Sequence, residues 1–198
     1  MDPSQIRISA DPITAAMCKF TMDRPIYPNE SFYFGNKEKA QGSVLAAKLF
    51  DLQGITSVLI SHDQITVTKG GNEDWPIIGK KIGAAIREGL ASNAPVVRDE
   101  LKTSLPPADV IRERVQEVLD MDINPAVAAH GGVVELIDVK RNDVFLRMGG
   151  GCQGCGMASQ TLRQGVESAI RRTVPEVGAI MDTTDHAAGR NPYYAPSH

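Results

Sequence analysis

Between Ser92 and Pro107 the chain loses the hydrophobic periodicity it carries on either side, and this break constrains the fold more than any other feature. Pro95, Pro106 and Pro107 fall in the stretch, which makes it the linker candidate. A chain of 198 residues interrupted there has material for two small domains, each with its own core. The expected division is a first domain over 1–91, a linker over 92–107, a second domain over 108–182 and a tail over 183–198.

In the first domain, Met17, Phe20 and Met22, then Pro25 and Pro28, then Phe32 to Phe34 suggest two strands around a loop. From Ser43 the spacing becomes helical, with Leu45, Leu49 and Leu52 in register and Gly54 as the stop. Val58 and Ile60 alternate with polar neighbours, His62-Asp63-Gln64 turns, and Ile65 and Val67 alternate again, which predicts a hairpin. Trp75-Pro76 opens a helix that buries Ile78, Ile82 and Ile86.

The second domain begins with a helix whose inner face carries Ile111, Val115, Val118 and Leu119; Asn124-Pro125 interrupts it before a last turn at Gly131-Gly132. Val133 to Val139 and Val144 to Met148 form a predicted hairpin around the turn 140–143. Leu162, Val166 and Ile170 mark a second helix that stops at Pro175, and Val177 to Met181 a third strand. The expected fold class is α+β: two small α/β-sandwich domains joined by a linker, the C-terminal one of order α-β-β-α-β.

Cys152 and Cys155 stand in the run Met148 to Met157, where the second strand hands over to the second helix. The first turn of a helix leaves N–H groups without intrahelical partners, and its dipole end is positive, so thiolates there are stabilised. Gly149, Gly150, Gly151, Gly154 and Gly156 have no Cβ and let a cluster or another chain approach the main chain. A zinc ion or an iron–sulfur cluster takes four protein ligands, and this motif offers two, so a metal site requires a second chain. Three readings of the pair stand on spacing alone: half of a shared metal or cluster site, a dithiol oxidoreductase, and half of a zinc-bridged structural dimer. The third cysteine, Cys18, lies between Met17 and Lys19 in a predicted strand and reads as a buried, unreactive thiol.

Composition narrows the partners. A net charge of −3 supplies no basic field for nucleic acid or an anionic membrane, and aromatics at 5% offer few stacking platforms. No apolar run approaches the roughly 18 residues that a membrane helix needs. The start Met1-Asp2-Pro3-Ser4-Gln5 lacks a basic and an apolar region, and three cysteines build no disulfide framework. The expectation is therefore a protein of the reduced cytoplasm that binds neither nucleic acid nor membrane.

Beyond spacing, the second domain resembles the Nfu domain, the C-terminal module of NifU. The resemblance runs through Ile123-Asn124-Pro125, His130-Gly131-Gly132-Val133, Gly149 to Cys152, Cys155-Gly156-Met157, and Asp182-Thr183-Thr184-Asp185-His186. The last stretch, with Gly189 and Tyr193-Tyr194, is similar to the tail of NfuA-type carriers. The first domain resembles the Nfu N-terminal domain through Ile65-Thr66-Val67-Thr68-Lys69 and Asp74-Trp75, whereas NfuA-type carriers have a different, A-type-like N-terminal domain. The resemblance implies a non-enzymatic iron–sulfur carrier or scaffold. In it, Cys152 and Cys155 from two protomers hold one 4Fe–4S cluster per homodimer and pass it to apo-proteins; a 2Fe–2S form stays open. Upstream assembly proteins would load it, and the first domain would bind partners instead of metal. His130 is expected at a helix end instead of on the cluster. Arg171-Arg172 reads as a solvated face with docking as the alternative.

Overall fold

The computed structural model describes residues 5–150 and 156–183, with the backbone alone at Gly150 and at 156–161. Two units result, Met1–Leu105 and Pro106–His198.

In the first unit five antiparallel strands stand in the order β1-β2-β5-β4-β3: β1 Ile8–Pro12, β2 Met17–Met22, β3 Tyr27–Phe34, β4 Ile55–His62 and β5 Gln64–Lys69. Strict alternation sends Cys18, Phe20 and Met22 of β2, Val58 and Ile60 of β4, and Ile65 and Val67 of β5 into one core. Helices α1 Val44–Phe50 and α2 Trp75–Ala91 complete it with Leu45, Leu49, Ile78, Ile82 and Ile86. Ser43 caps α1, its Oγ accepting from the Ala46 N–H at 3.0 Å. Gly89 lets the two helices touch: a Cβ there would lie 2.8 Å from the Leu45 Cα. The β4–β5 hairpin turns at His62, whose φ is 50°, and the Met22 and Ile26 N–H groups donate to the carbonyls of Asp63 and His62.

Two features depart from expectation. Strand β1 was not foreseen, because four of its five residues are exposed and none alternates; as an edge strand it also tolerates Pro12. The stretch expected to be a free linker packs on the first unit up to Leu105. Val97 is 1% exposed, the Arg98 N–H donates to the Gly42 carbonyl at 2.9 Å, and the short helix α3 Asp99–Thr103 lays Leu101 against Gly42. Val97, Leu101 and Leu105 are four residues apart, a stripe that the flanking prolines conceal.

The second unit runs α4 Ala108–Val118, a π-helical turn Leu119–Ile123, α5 Asn124–Ala128, β6 Gly132–Lys140, β7 Asp143–Gly150, α6 Gly156–Thr173 and β8 Ile180–Asp182. This is the expected α-β-β-α-β order. Strand β7 is central, antiparallel to β6 and parallel to β8. The buried residues Ile111, Val115, Leu119, Ile123 and Val127 recur every four residues. An α-helix gains about 40° on each such step, so the stripe would wind off the core. The wider π turn takes one more residue and brings the stripe back. Strand β8 begins later than expected because the main chain before it is otherwise engaged. Arg171 Nη1 and Nη2 donate to the carbonyls of Val177 and Gly178, both at 2.8 Å, and the Ala179 N–H donates to Asp143 Oδ1.

Candidate functional site

The cysteine segment is built from its two flanks. Strand β7 carries the chain outward from the buried Leu146 and Met148 to Gly149 and Gly150, which pair with Val133 and Gly132 of β6. Gly149 stands tight against its neighbour: a Cβ there would sit 3.0 Å from Val133 Cγ1, and that exposed side chain would have to give way. Six residues on, Gly156 opens α6, anchored further along by Val166 and Ile170. Cys152 and Cys155 occupy the intervening stretch and lie outside the described residues, as do residues 184–198 of the tail.

What the structure fixes is the frame around them. Helix α5 ends with the His130 and Gly131 N–H groups bonded to the carbonyls of Val127 and Ala128, and Gly131 adopts φ 70°. His130 is exposed at this helix end. The chain then enters β6 at Gly132, directly opposite Gly150. One residue of this frame had no role assigned from sequence. The Asn124 amide donates from Nδ2 to the Val134 carbonyl at 3.0 Å and accepts at Oδ1 from the Val134 N–H at 2.8 Å. The signal was the Ile123-Asn124-Pro125 run itself: an Asn inside a helical stretch is a poor helix former, and its amide has work elsewhere.

At the other border, Thr183 donates to the Leu146 carbonyl from its N–H at 2.7 Å and from Oγ1 at 2.9 Å, and Asp182 pairs with Arg163 of α6 at 2.5 Å. The first tail residue, Thr183, is thus tied to the core of the second unit. Among the described residues no group of three or more His, Cys, Asp or Glu side chains is arranged to hold a metal ion, and no helix is long and apolar enough to cross a membrane.

The remaining candidates fall elsewhere. Cys18 belongs to the first unit, between Pro12 of β1 and Val67 of β5, and is 1% exposed. Burial first, then the Asp11 charge, pushes its thiol up to about 11, so it is a protonated core side chain at neutral pH. Arg171 is no docking charge: it is buried, held by Glu167 at 2.8 Å and by two carbonyls, whereas Arg172 is exposed. Trp75 is half-buried against the first core and donates from Nε1 to the Thr14 carbonyl at 3.0 Å.

Two family models match the chain. Residues 115–181 match the family model of the NifU-like domain, and residues 6–93 match that of the scaffold protein Nfu/NifU N terminal. The Fe/S biogenesis protein NfuA of Pseudomonas aeruginosa is 47% identical over 85 residues, which is 42% of this chain and 44% of the relative. NfuA of Stenotrophomonas maltophilia is 44% identical over 114 residues, 56% of this chain and 55% of the relative. The chain thus spans about half the length of the curated relatives it matches. A solved NifU-like protein of Saccharomyces cerevisiae shares 22% identity over 46% of this chain and 84% of its own, with a TM-score of 0.42. With one domain model on each unit, and the NifU-like one spanning both clustered cysteines, the chain belongs to the Nfu family.

Proposed function

We propose that this chain carries a 4Fe–4S cluster between two protomers, each contributing Cys152 and Cys155, and delivers it to apo-proteins. The observation that supports this reading most is the NifU-like match, whose residues 115–181 include the cysteine pair at the handover from β7 to α6. Two thiolates per chain and four ligands per cluster make a symmetric pair the simplest solution. Delivery is ligand exchange without redox change. A client thiolate forms an Fe–S bond as the bond to Cys152 or Cys155 breaks, and the released thiolate takes up a proton. A smaller 2Fe–2S cargo fits the same four thiolates.

In this reading the first unit, Met1–Leu105, binds clients or upstream assembly proteins, and the protein works in a reduced cytoplasm where its thiols stay free. It catalyses no reaction of its own. Anaerobic reconstitution with iron and sulfide, followed by Mössbauer spectroscopy, sedimentation and iron counting, tests the proposal. About four irons per dimer are expected, with loss of both cluster and dimer in Cys152→Ser or Cys155→Ser while the fold persists. A colourless protein that instead exchanges disulfides, or one that takes up zinc alone, overturns it.

A further inference from the structure

We infer that Asn124 is a positioning residue for the Cys152–Cys155 segment: its amide locks the outer edge of β6 and so fixes where β7 releases the chain. The inference rests on the carrier reading for its functional meaning and on geometry for its mechanism. In an antiparallel ladder the N–H and C=O of one residue point to the same side. Both main-chain groups of Val134 are taken by Asn124, so they face away from β7. Asn124 therefore acts as a one-residue strand on the free side of β6. Val134 stands opposite Met148, two residues before Gly150. Beyond this rung only Val133–Gly149 and Gly132–Gly150 remain before the cysteine segment begins, and three of those four residues are glycine. A hairpin end so poor in side chains has little packing of its own to hold its register. The amide supplies the missing constraint, and it is aimed by the π turn Leu119–Ile123 immediately before it.

The test uses the full chain in four forms: wild type, Asn124→Leu, Asn124→Asp and Asn142→Ala. Leucine matches asparagine in size without either hydrogen bond. Asn142 lies at the opposite end of the β6–β7 hairpin, where its Nδ2 donates to the Glu176 carbonyl at 3.2 Å, so its variant measures the loss of a side-chain bond remote from the cysteines. Three quantities are read: amide exchange at Val134 and Gly149, cobalt(II) affinity of the apo protein from its thiolate colour, and lifetime of the reconstituted cluster. In Asn124→Leu, exchange should accelerate at both amides, and cobalt affinity and cluster lifetime should each fall about tenfold. In Asn142→Ala both should stay at the wild-type value. Should Asn124→Leu fail to fold, Asn124→Asp, of the same shape without the Nδ2 donor, carries the comparison. Equal cobalt affinities, or an equal fall in Asn142→Ala, overturn the positioning role. A wild type that holds no cluster while the cobalt difference persists overturns the carrier reading and leaves the positioning role standing. A wild type that binds neither overturns both.

Discussion

Arg171 donates from Nη1 to the carbonyl of Val177 at 2.8 Å, six residues further along the chain and inside the second unit. With Nη2 on Gly178 and Nε on Glu167, the guanidinium uses its fork to turn the chain from α6 into β8. Arg171→Ala removes all three bonds and leaves the Val177 and Gly178 carbonyls without their guanidinium donor, so it should cost about 3 kcal/mol. Arg171→Lys should recover only part, because an ammonium cannot reproduce the fork. Arg172→Ala should stay within about 0.5 kcal/mol of wild type. Thermal and urea unfolding followed by circular dichroism measure all three.

Two glycines of helices should respond oppositely to alanine. At Gly89 the new Cβ would meet the Leu45 main chain at 2.8 Å, so α1 and α2 must separate, at a cost of about 1–3 kcal/mol. Gly165 of α6 is exposed with nothing within 4 Å of a built Cβ, and Gly165→Ala should gain about 0.5–1 kcal/mol. Trp75 fluorescence reports the first variant, since the chain's single tryptophan lies in that unit. Amide exchange in α6 reports the second.

Truncation should locate the true edge of the first unit. A fragment ending at Ala91 loses Val97, Leu101 and Leu105 from the core surface, whereas one ending at Leu105 keeps them. The shorter fragment should be less stable by about 3 kcal/mol, the worth of burying one to two aliphatic side chains. Equal urea midpoints would mean that the 92–105 segment adds nothing.

Cys18→Ala should leave iron and sulfide content unchanged, because Cys18 lies in the first-unit core and its raised pKa keeps it protonated. The raised pKa also sets a pH dependence. The folded state holds the proton up to about 11, while an unfolded cysteine releases it near about 8.5. The unfolded state then binds fewer protons between those values, so stability is full below about 8.5 and falls as pH rises towards about 11. Trp75-monitored unfolding should show this decline in wild type and a shallower one in Cys18→Ala.

Legibility followed the side of the chain that faces a core. Ile78, Ile82 and Ile86 announced α2, and the alternation of Val58, Ile60, Ile65 and Val67 announced the β4–β5 hairpin, because burial on one face leaves a period in the sequence. Strand β1 left none, since its pairing with β2 is carried by the main chain while its side chains stay in water. Arg171 misled for the opposite reason: a charged residue beside Arg172 looks solvated, and only the fold brings the Val177 and Gly178 carbonyls to it. Cys152 and Cys155 are read as chemistry from spacing and glycine content alone, since they lie outside the described residues. Asn124 was legible only as a letter in a motif, because its partner is the backbone of Val134, which any residue could supply.

The π turn at Leu119–Ile123 makes the second unit tolerant of a change in chain length where a helix usually is not. Deleting one residue from this turn would restore a regular α-helix. Five residues of a π turn sweep about the same angle as four of an α-helix, so Asn124 would stay on Val134 and Ile123 and Val127 would stay in the core. Single-residue length variation among relatives should therefore occur between Leu119 and Ile123, as in the turn Lys140–Asp143, where the hairpin can absorb an insertion without a change of phase.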